Sequence, residues 1–228
     1  MKLLALDTST TRGSVALLEG RDVVAELRLL SLETHSARLL GGVEYLLRTS
    51  GWQLRDLCLV VAGIGPGSFT GIRIGIATAL GLAQVMAIPF AGISCLDAVA
   101  YQVMGVDGRI GVVMDAQRAQ VYFAEYVRER GRIRKLAGPR LQNPADLGKQ
   151  LRRERLHLAG DGAIRYASDL NPCKSCWPKV IVTELFLAGA LGKLALDRKR
   201  TWRSGDFLQA NPLYVRPPDA LRPKVRLR

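Results

Sequence analysis

Histidine and cysteine are scarce in this chain, which has two histidines and four cysteines among 228 residues. Metal sites draw heavily on these residue types, and His35 and His157 are too few to build one. Cys173 and Cys176 have the spacing of half a zinc site or of a redox pair, but no second pair accompanies them. We therefore predict a loop that carries two incidental thiols. Cys58, inside the apolar run LCLVVAG, is predicted to be an inert core residue.

Long hydrophobic runs are also missing. No apolar stretch approaches the ~20 residues that a membrane-spanning helix needs. The segment MKLLALDTST has only four apolar residues in a row before Asp7, too few for a signal peptide. We therefore expect a soluble, cytoplasmic protein without membrane contact. The hydrophobic content of 48% still allows a sizeable core to be buried without disulfides.

Acidic residues are too few in the second half to balance the basic ones, and the formal net charge is +13. Residues 1–100 contain 8 basic and 8 acidic side chains, whereas residues 101–228 contain 25 and 12. This asymmetry has two interpretations: a solvated surface that confers solubility, or an electrostatic footprint for nucleic acid. No RNA-module signature accompanies the arginines, and the sequence does not decide between the two.

The segment Gly63–Ala83, GIGPGSFTGIRIGIATALGLA, is a glycine-rich turn that leads into an apolar helix. Pro66 interrupts regular structure, and Ser68 is a typical N-cap for the helix that follows. Small residues recur every fourth position and share one face, with larger apolar residues beside them. The small residues are Gly71, Gly75 and Ala79, and their neighbours are Ile72, Ile76, Leu80 and Ala83. Because each interior glycine costs a helix about 1 kcal/mol relative to alanine, we expect another backbone to approach this face closely.

A phosphate-binding interpretation of the same turn fails on spacing. A P-loop needs a Gly-Lys pair followed by a hydroxyl residue, and the stretch after Gly65 supplies no lysine. A dinucleotide-binding fingerprint needs a third glycine where Ser68 stands. We therefore interpret the segment as a tight connection between a strand and a helix.

The order of predicted elements repeats along the chain as strand, strand, strand, helix, strand, helix, and Asp7 and Asp115 each end the first strand of a copy. This is the layout of the actin, sugar-kinase and heat-shock-protein (ASKHA, RNase H-like) superfamily. We predict an α/β, two-lobed actin-like fold with duplicated βββαβα units, mixed sheets and a reduced second lobe, divided into residues 1–104 and 105–228. The layout raises the hypothesis that residues at the crevice contact nucleotide phosphates. These residues are Asp7, Thr8, Gly160, Asp161 and Gly162.

Several strings, among them LLALDTSTTRGSVALL, VVMDAQRAQVYFAEY and PLYVRPPDA, resemble the TsaB family, and GPGSFTGIRIG is the most specific of them. TsaB proteins are dimerisation subunits of the bacterial machinery that makes threonylcarbamoyladenosine in tRNA. The resemblance implies a non-catalytic pseudo-enzyme that binds its catalytic relative TsaD and is assisted by the ATPase TsaE. It implies that the modified base is the adenosine beside the anticodon, and it leaves open whether ADP or ATP sits at a subunit junction.

The resemblance also provides a check on catalysis. In TsaD, two histidines four residues apart bind the catalytic metal, and the matching positions here are Cys95 and Val99. Valine has no donor atom, so we predict neither a metal site nor a catalytic residue. His35, at a helix start, is interpreted as a cap or interface residue.

The resemblance implies that the helices over residues 35–49 and 68–84 pair with the equivalent helices of TsaD. The predicted contact residues are His35, Leu39, Val43, Leu46, Ser68, Gly71, Ile72, Gly75, Ile76, Ala79 and Ala83. Without TsaD, the same face is expected to form a homodimer. The basic second lobe is a candidate surface for tRNA. The alternative function is a stand-alone ATP-dependent phosphotransferase of the same superfamily.

Overall fold

The computed structural model describes residues 1–30, 35–103, 105–152, 154–170, 179–198, 202, 205 and 210–216, and only the backbone of residues 35–37. Two five-stranded mixed sheets form the framework. The predicted loop with Cys173 and Cys176 lies outside the described residues. None of the helices in the described ranges has the length and apolar character that a bilayer crossing requires.

The first sheet has the strand order β3-β2-β1-β4-β5. Its strands are β1 (Lys2–Asp7), β2 (Arg12–Glu19), β3 (Asp22–Leu30), β4 (Leu59–Gly63) and β5 (Phe90–Ile93). β1 pairs antiparallel with β2 and parallel with β4. Every residue of β4 is buried, as is typical of a continuous apolar strand that is covered on both faces of its sheet.

Three helices belong to this first unit: α1 (His35–Thr49), α2 (Phe69–Val85) and α3 (Cys95–Gln102). Ser68 caps α2 as predicted, because its hydroxyl accepts a hydrogen bond from the Gly71 amide at 3.2 Å. Apolar side chains of α1 and α2 pack on one face of the sheet in a cluster that includes Leu4, Val60 and Phe90.

The second sheet has the strand order β10-β9-β6-β7-β8. Its strands are β6 (Gly108–Asp115), β7 (Val121–Glu129), β8 (Arg132–Gln142), β9 (His157–Ala159) and β10 (Lys179–Ile181). The helices that follow β8 are α4 (Pro144–Leu151), α5 (Asp161–Arg165), α6 (Ala167–Leu170) and α7 (Ala188–Asp197). The order is that of the first sheet, so the predicted duplication and the actin-like fold class are confirmed.

The two sheets share a core through α3 and α7. α7 contacts β1 and β2 of the first sheet, and α3 contacts β6 of the second. The buried hydroxyl of Ser14 on β2 accepts a hydrogen bond from the Ala188 amide at 3.0 Å. α7 begins at Ala188. The boundary between residues 104 and 105 stays a prediction.

Cys58 departs from the sequence prediction. It precedes β4 and is exposed, with its amide donating to the Lys2 carbonyl at 2.9 Å. Its neighbours in the apolar run, Leu57 and Leu59, are both buried, so the side chain of Cys58 points away from the core on which they pack. The interpretation of Cys58 as a core residue is therefore wrong.

The close approach that the α2 glycines predict is present, and the neighbour is the end of β1. A Cβ atom at Gly71 would lie 2.0 Å from the Thr8 carbonyl oxygen, and one at Gly75 would lie 2.3 Å from the Thr8 hydroxyl oxygen. The Thr8 hydroxyl also donates a buried hydrogen bond to the Gly71 carbonyl at 2.7 Å. These contacts explain the cost that α2 accepts at both glycines.

We expect Gly71→Ala to lower the free energy of unfolding by about 1–3 kcal/mol, because the new methyl group meets backbone that cannot move away. Gly81→Ala is the matched control in the same helix, since a Cβ atom there has nothing within 4 Å. This control should raise stability by up to about 1 kcal/mol. Urea unfolding measures both, and equal effects of the two substitutions would contradict the packing of α2 on β1.

Candidate functional site

The predicted contact residues of α1 and α2 mostly face the chain's own sheet. Leu39, Val43 and Leu46 of α1 are at most 4% exposed. The buried residues of α2 are Gly71, Ile72, Gly75, Ile76, Ala79 and Ala83. The expectation that this stripe is an exposed docking surface is therefore corrected: Thr8 and the strands behind it already cover these residues.

Two of the predicted contact residues, Ser68 and His35, do not belong to this buried set. Ser68 is exposed and caps α2. His35 is the first residue of α1, which agrees with its interpretation as a residue at a helix start, and its side chain is not described.

The outer faces of α1 and α2 carry a different set of residues. Exposed or half-exposed positions on α2 are Phe69, Thr70, Arg73, Ile74, Ala77, Thr78, Leu80, Gly81, Leu82, Gln84 and Val85. Arg73 is the one charged residue in this 17-residue helix. Leu40 and Tyr45 of α1 are 54% and 49% exposed. Between the helices lies a groove of about 360 Å³, lined by Leu40, Val43, Glu44, Leu47, Arg48, Trp52, Leu54 and Leu82.

A cleft of about 390 Å³ separates the lobes at the carboxyl ends of β1 and β6. Ser9 and Thr10 line it from the first lobe, and Asp115 and Asp161 from the second. In the predicted nucleotide set, only Asp161 lines this cleft. The other four residues of the set lie beneath its surface and are described next.

Asp7 and Thr8 are buried, with exposed fractions of 0% and 2%. Asp7 Oδ1 accepts hydrogen bonds from the Ser9 amide at 3.1 Å and from the Cys95 thiol at 3.8 Å. Burial, with the Asp7 carboxylate as a second cause, raises the pKa of the Cys95 thiol well above its usual value. Cys95 is therefore a neutral donor, and Asp7, Thr8 and Cys95 do not line the cleft, whereas Ser9 of the same cluster does.

Gly160 and Gly162 pack against the backbone of β6. A Cβ atom at Gly160 would lie 2.3 Å from the Val113 carbonyl oxygen, and one at Gly162 would lie 2.9 Å from the Met114 carbonyl carbon. Asp161 Oδ1 accepts hydrogen bonds from the Asp115 and Gly162 amides at 3.0 and 2.9 Å. Burial raises the pKa of Asp161, and these two amides oppose that shift. The Gly-Asp-Gly turn thus joins α5 to β6.

Asp115 is the counterpart of Asp7 in the second unit, and the chain's own groups hold its carboxylate. Arg165 forms an ion pair with it at 2.6 Å, and the Tyr166 hydroxyl donates to it at 3.1 Å. The Gln117 amide adds a third hydrogen bond at 3.0 Å. The described part of the chain contains no group of three or more metal-ligating side chains.

Residues 210–216 run across the cleft and connect the lobes. The Leu213 amide donates to the Ile64 carbonyl at 2.7 Å, and Tyr214 stacks on Phe69 with ring centroids 4.9 Å apart. Arg73 donates to the Tyr214 hydroxyl at 2.8 Å. On the second lobe, Arg216 donates to the Gln120 side chain at 2.6 Å.

Comparisons with known proteins show the family of this chain. The model of the TsaD family, tRNA N6-adenosine threonylcarbamoyltransferase, matches residues 30–178. The tRNA threonylcarbamoyladenosine biosynthesis protein TsaB of Haemophilus influenzae is 34% identical, over 95% of this chain and 94% of that protein. The chain belongs to the TsaB family. Escherichia coli TsaB is 42% identical over 58% of each chain.

The Bacillus subtilis TsaB is 37% identical over 58% of this chain. The matches thus span a little over half the length of the Escherichia coli and Bacillus subtilis TsaB proteins. A solved structure of YeaZ from Pseudomonas aeruginosa superposes with a TM-score of 0.77 at 29% identity, over 93% of this chain and 99% of that one. The two proteins therefore share the same fold over nearly their whole length.

Sequence reasoning missed the segment across the cleft in this TsaB-family chain. PLYVRPPDA contributes to the family resemblance, but its contacts join residues far apart in the sequence, such as Leu213 and Ile64. The available signal was an aromatic residue, Tyr214, in a proline-bounded segment without helical or strand periodicity. The apolar residues of such a segment must pack against another part of the protein, and here Tyr214 packs against Phe69.

We expect Tyr214→Ala to loosen residues 210–216, since it removes the ring stacked on Phe69 and the acceptor of the Arg73 hydrogen bond. An aromatic pair contributes about 0.5–1.5 kcal/mol beyond its buried area. Hydrogen exchange at the Leu213 amide should therefore accelerate about twofold to tenfold. Tyr45→Ala, at an exposed tyrosine on α1, is the control and should leave this exchange unchanged. Unaltered exchange in both variants would refute the attachment.

Proposed function

We propose that this chain is a non-catalytic scaffold subunit that binds TsaD through the outer faces of α1 and α2. Membership of the TsaB family gives it a role in tRNA threonylcarbamoyladenosine biosynthesis. The observation that carries the docking proposal is the outer face of α2, where Arg73 is the one charged residue of the helix. A helix that stays in contact with water normally has a charged outer face.

The groove between the two helices supports the same proposal. Its lining is mainly apolar, and Leu40, Leu54 and Leu82 reach its surface. Val85, at the end of α2, is 86% exposed. Burial of apolar surface is worth about 25 cal/mol per Å², so a partner that covers this groove gains free energy.

Two glycines on the outer faces of α1 and α2 leave room for a partner backbone to approach. A Cβ atom at Gly41 of α1 or Gly81 of α2 would have nothing within 4 Å. Packing inside the subunit therefore does not account for either glycine, in contrast to Gly71 and Gly75. A partner helix that lies against these positions would account for both, because the missing side chains let two backbones approach closely.

The likeness to the TsaD family supports TsaD as the partner of this face. The TsaD family model matches residues 30–178, a range that includes both helices, so the two proteins share this part of the fold. Two related subunits can pair equivalent helices about a pseudo-twofold axis, as identical subunits do about a true one. We therefore propose a homodimer through the same face when TsaD is absent, and TsaE, with ADP or ATP at a junction, as further components of the assembly.

The cleft favours a scaffold over a phosphotransferase. Asp7 and Thr8 are buried below it, and residues 210–216 lie across it. A phosphotransferase would require these groups to reach a nucleotide. An ATPase assay of the isolated protein tests this point, and turnover that depends on Asp161 would overturn the scaffold assignment.

We expect Leu40→Glu and Gly81→Arg each to weaken TsaD binding by about tenfold or more, because each places a charge or bulk in the proposed interface. Isothermal titration of purified TsaD measures the Kd. The Gly81 side has open space, so its variant should fold as stably as the unchanged protein. Loss of binding without loss of stability is the expected combination.

Leu136→Glu is the matched control, since Leu136 lies on β8 and is 41% exposed, away from both helices. It should bind TsaD as the unchanged protein does. If all three variants keep the affinity for TsaD, the interface lies elsewhere. Reconstitution of threonylcarbamoyladenosine formation with TsaD and TsaE, with each subunit omitted in turn, separates a wrong interface from a wrong function.

A further inference from the structure

A second cavity, of about 730 Å³, lies at the opposite end of the sheets from the cleft. Arg128 in its wall pairs with Gly108 at the start of β6, whereas the cleft lies at the carboxyl end of that strand. The turn after β2, the helices α3 and α7, and the β7–β8 hairpin supply the walls. Neither the proposed TsaD contact nor the cleft involves any of its residues.

The lining of this cavity is strongly basic. Five cationic residues contribute: Arg21, Arg128, Arg132, Lys135 and Arg198. Two carboxylates, Asp97 and Asp197, oppose them, which leaves an excess of three positive charges. A concave basic surface concentrates anions more effectively than the same charges spread over a convex one.

The carboxylates are already occupied by some of these cations. Asp97 is bonded to Lys135 at 2.6 Å and to Arg198 at 2.8 Å, and it accepts the Tyr126 hydroxyl at 2.8 Å. Asp197 pairs with Arg21. Among the described residues, no carboxylate pairs with Arg128 or Arg132.

Arg128 is the decisive residue because it is charged and 6% exposed. One terminal nitrogen donates to the Tyr101 carbonyl at 3.3 Å, while the buried Nε atom has no hydrogen-bond partner within the described structure. A buried guanidinium without a counter-ion carries a large desolvation cost. An anion in the cavity would supply both the missing charge and the missing acceptor.

We propose that this cavity is an anion site that binds a phosphate group, with Arg128 in its wall and Arg132 at its exposed side. Guanidinium groups match the oxygen geometry of phosphate and bind it through paired hydrogen bonds. The volume is large enough for a phosphate together with the sugar that bears it. The phosphate comes from a free nucleotide or from an RNA strand, and the proposal does not depend on TsaD docking.

The test is calorimetric titration at fixed ionic strength with three probes: pyrophosphate, AMP and an unmodified tRNA transcript. Arg128→Met keeps the length and the apolar stem of the side chain and removes its charge. We expect it to weaken binding by about tenfold or more. Its unfolding midpoint should stay unchanged or rise, since an uncompensated buried charge is removed.

Arg132→Ser is the second variant, at an exposed position where folding is not at risk, and Arg134→Ser on the same strand, outside the cavity, is its matched control. Binding of any probe that falls in Arg128→Met and Arg132→Ser but not in Arg134→Ser supports the site. If only tRNA behaves in this way, the phosphate belongs to an RNA strand; if AMP or pyrophosphate does, it belongs to a small ligand. Absence of binding with all three probes, or binding that neither cavity variant weakens, overturns the proposal.

Discussion

The contact between α2 and the end of β1 is the constraint on which the rest of the structure depends. The Thr8 hydroxyl donates to the Gly71 carbonyl, and a Cβ atom at Gly67 or Gly71 would lie 2.2 or 2.0 Å from a backbone oxygen of Ser9 or Thr8. No side chain separates the two backbones there. The position of α2 on the sheet is therefore tightly constrained, because a close-packed interior leaves no room for either backbone to move closer.

This position determines what each side of α2 presents. Phe69, in its first turn, is placed to stack on Tyr214, so the same contact that docks the helix also creates the attachment for residues 210–216. On the outer side, α2 lies beside α1, and the groove that contains Leu40 and Leu82 forms between them. The position of α2 thus determines both where residues 210–216 attach across the cleft and what shape the proposed docking face has.

The sequence predicted the two mixed sheets correctly, but it did not predict which face of α2 packs on the first sheet. The Ser68 cap follows from a local signal, and the repeated order of elements predicted two lobes with mixed sheets. Glycine spacing predicted a close backbone neighbour, but periodicity gives only the relative positions of residues around a helix. Whether Gly75 or Gly81 faces the sheet depends on which backbone is adjacent, and Thr8 supplies that information only once the chain is folded. The contacts of Tyr214 and the cavity around Arg128 escape prediction for the same reason, since each joins residues distant in sequence.

The two duplicated aspartates are both engaged by groups of their own chain. Asp7 and Asp115 end equivalent strands, yet Asp7 is fully buried beside a thiol and Asp115 is paired with Arg165. A carboxylate held by donors of its own chain has few lone pairs left for a metal or for nucleotide-bound water. Such contacts instead tie the strand ends to neighbouring elements, and residues 210–216 add a connection between the lobes. Lobes that are held in one arrangement would present an unchanging surface to a partner, as the scaffold role proposed above requires, whereas a kinase needs a cleft that closes on its substrate.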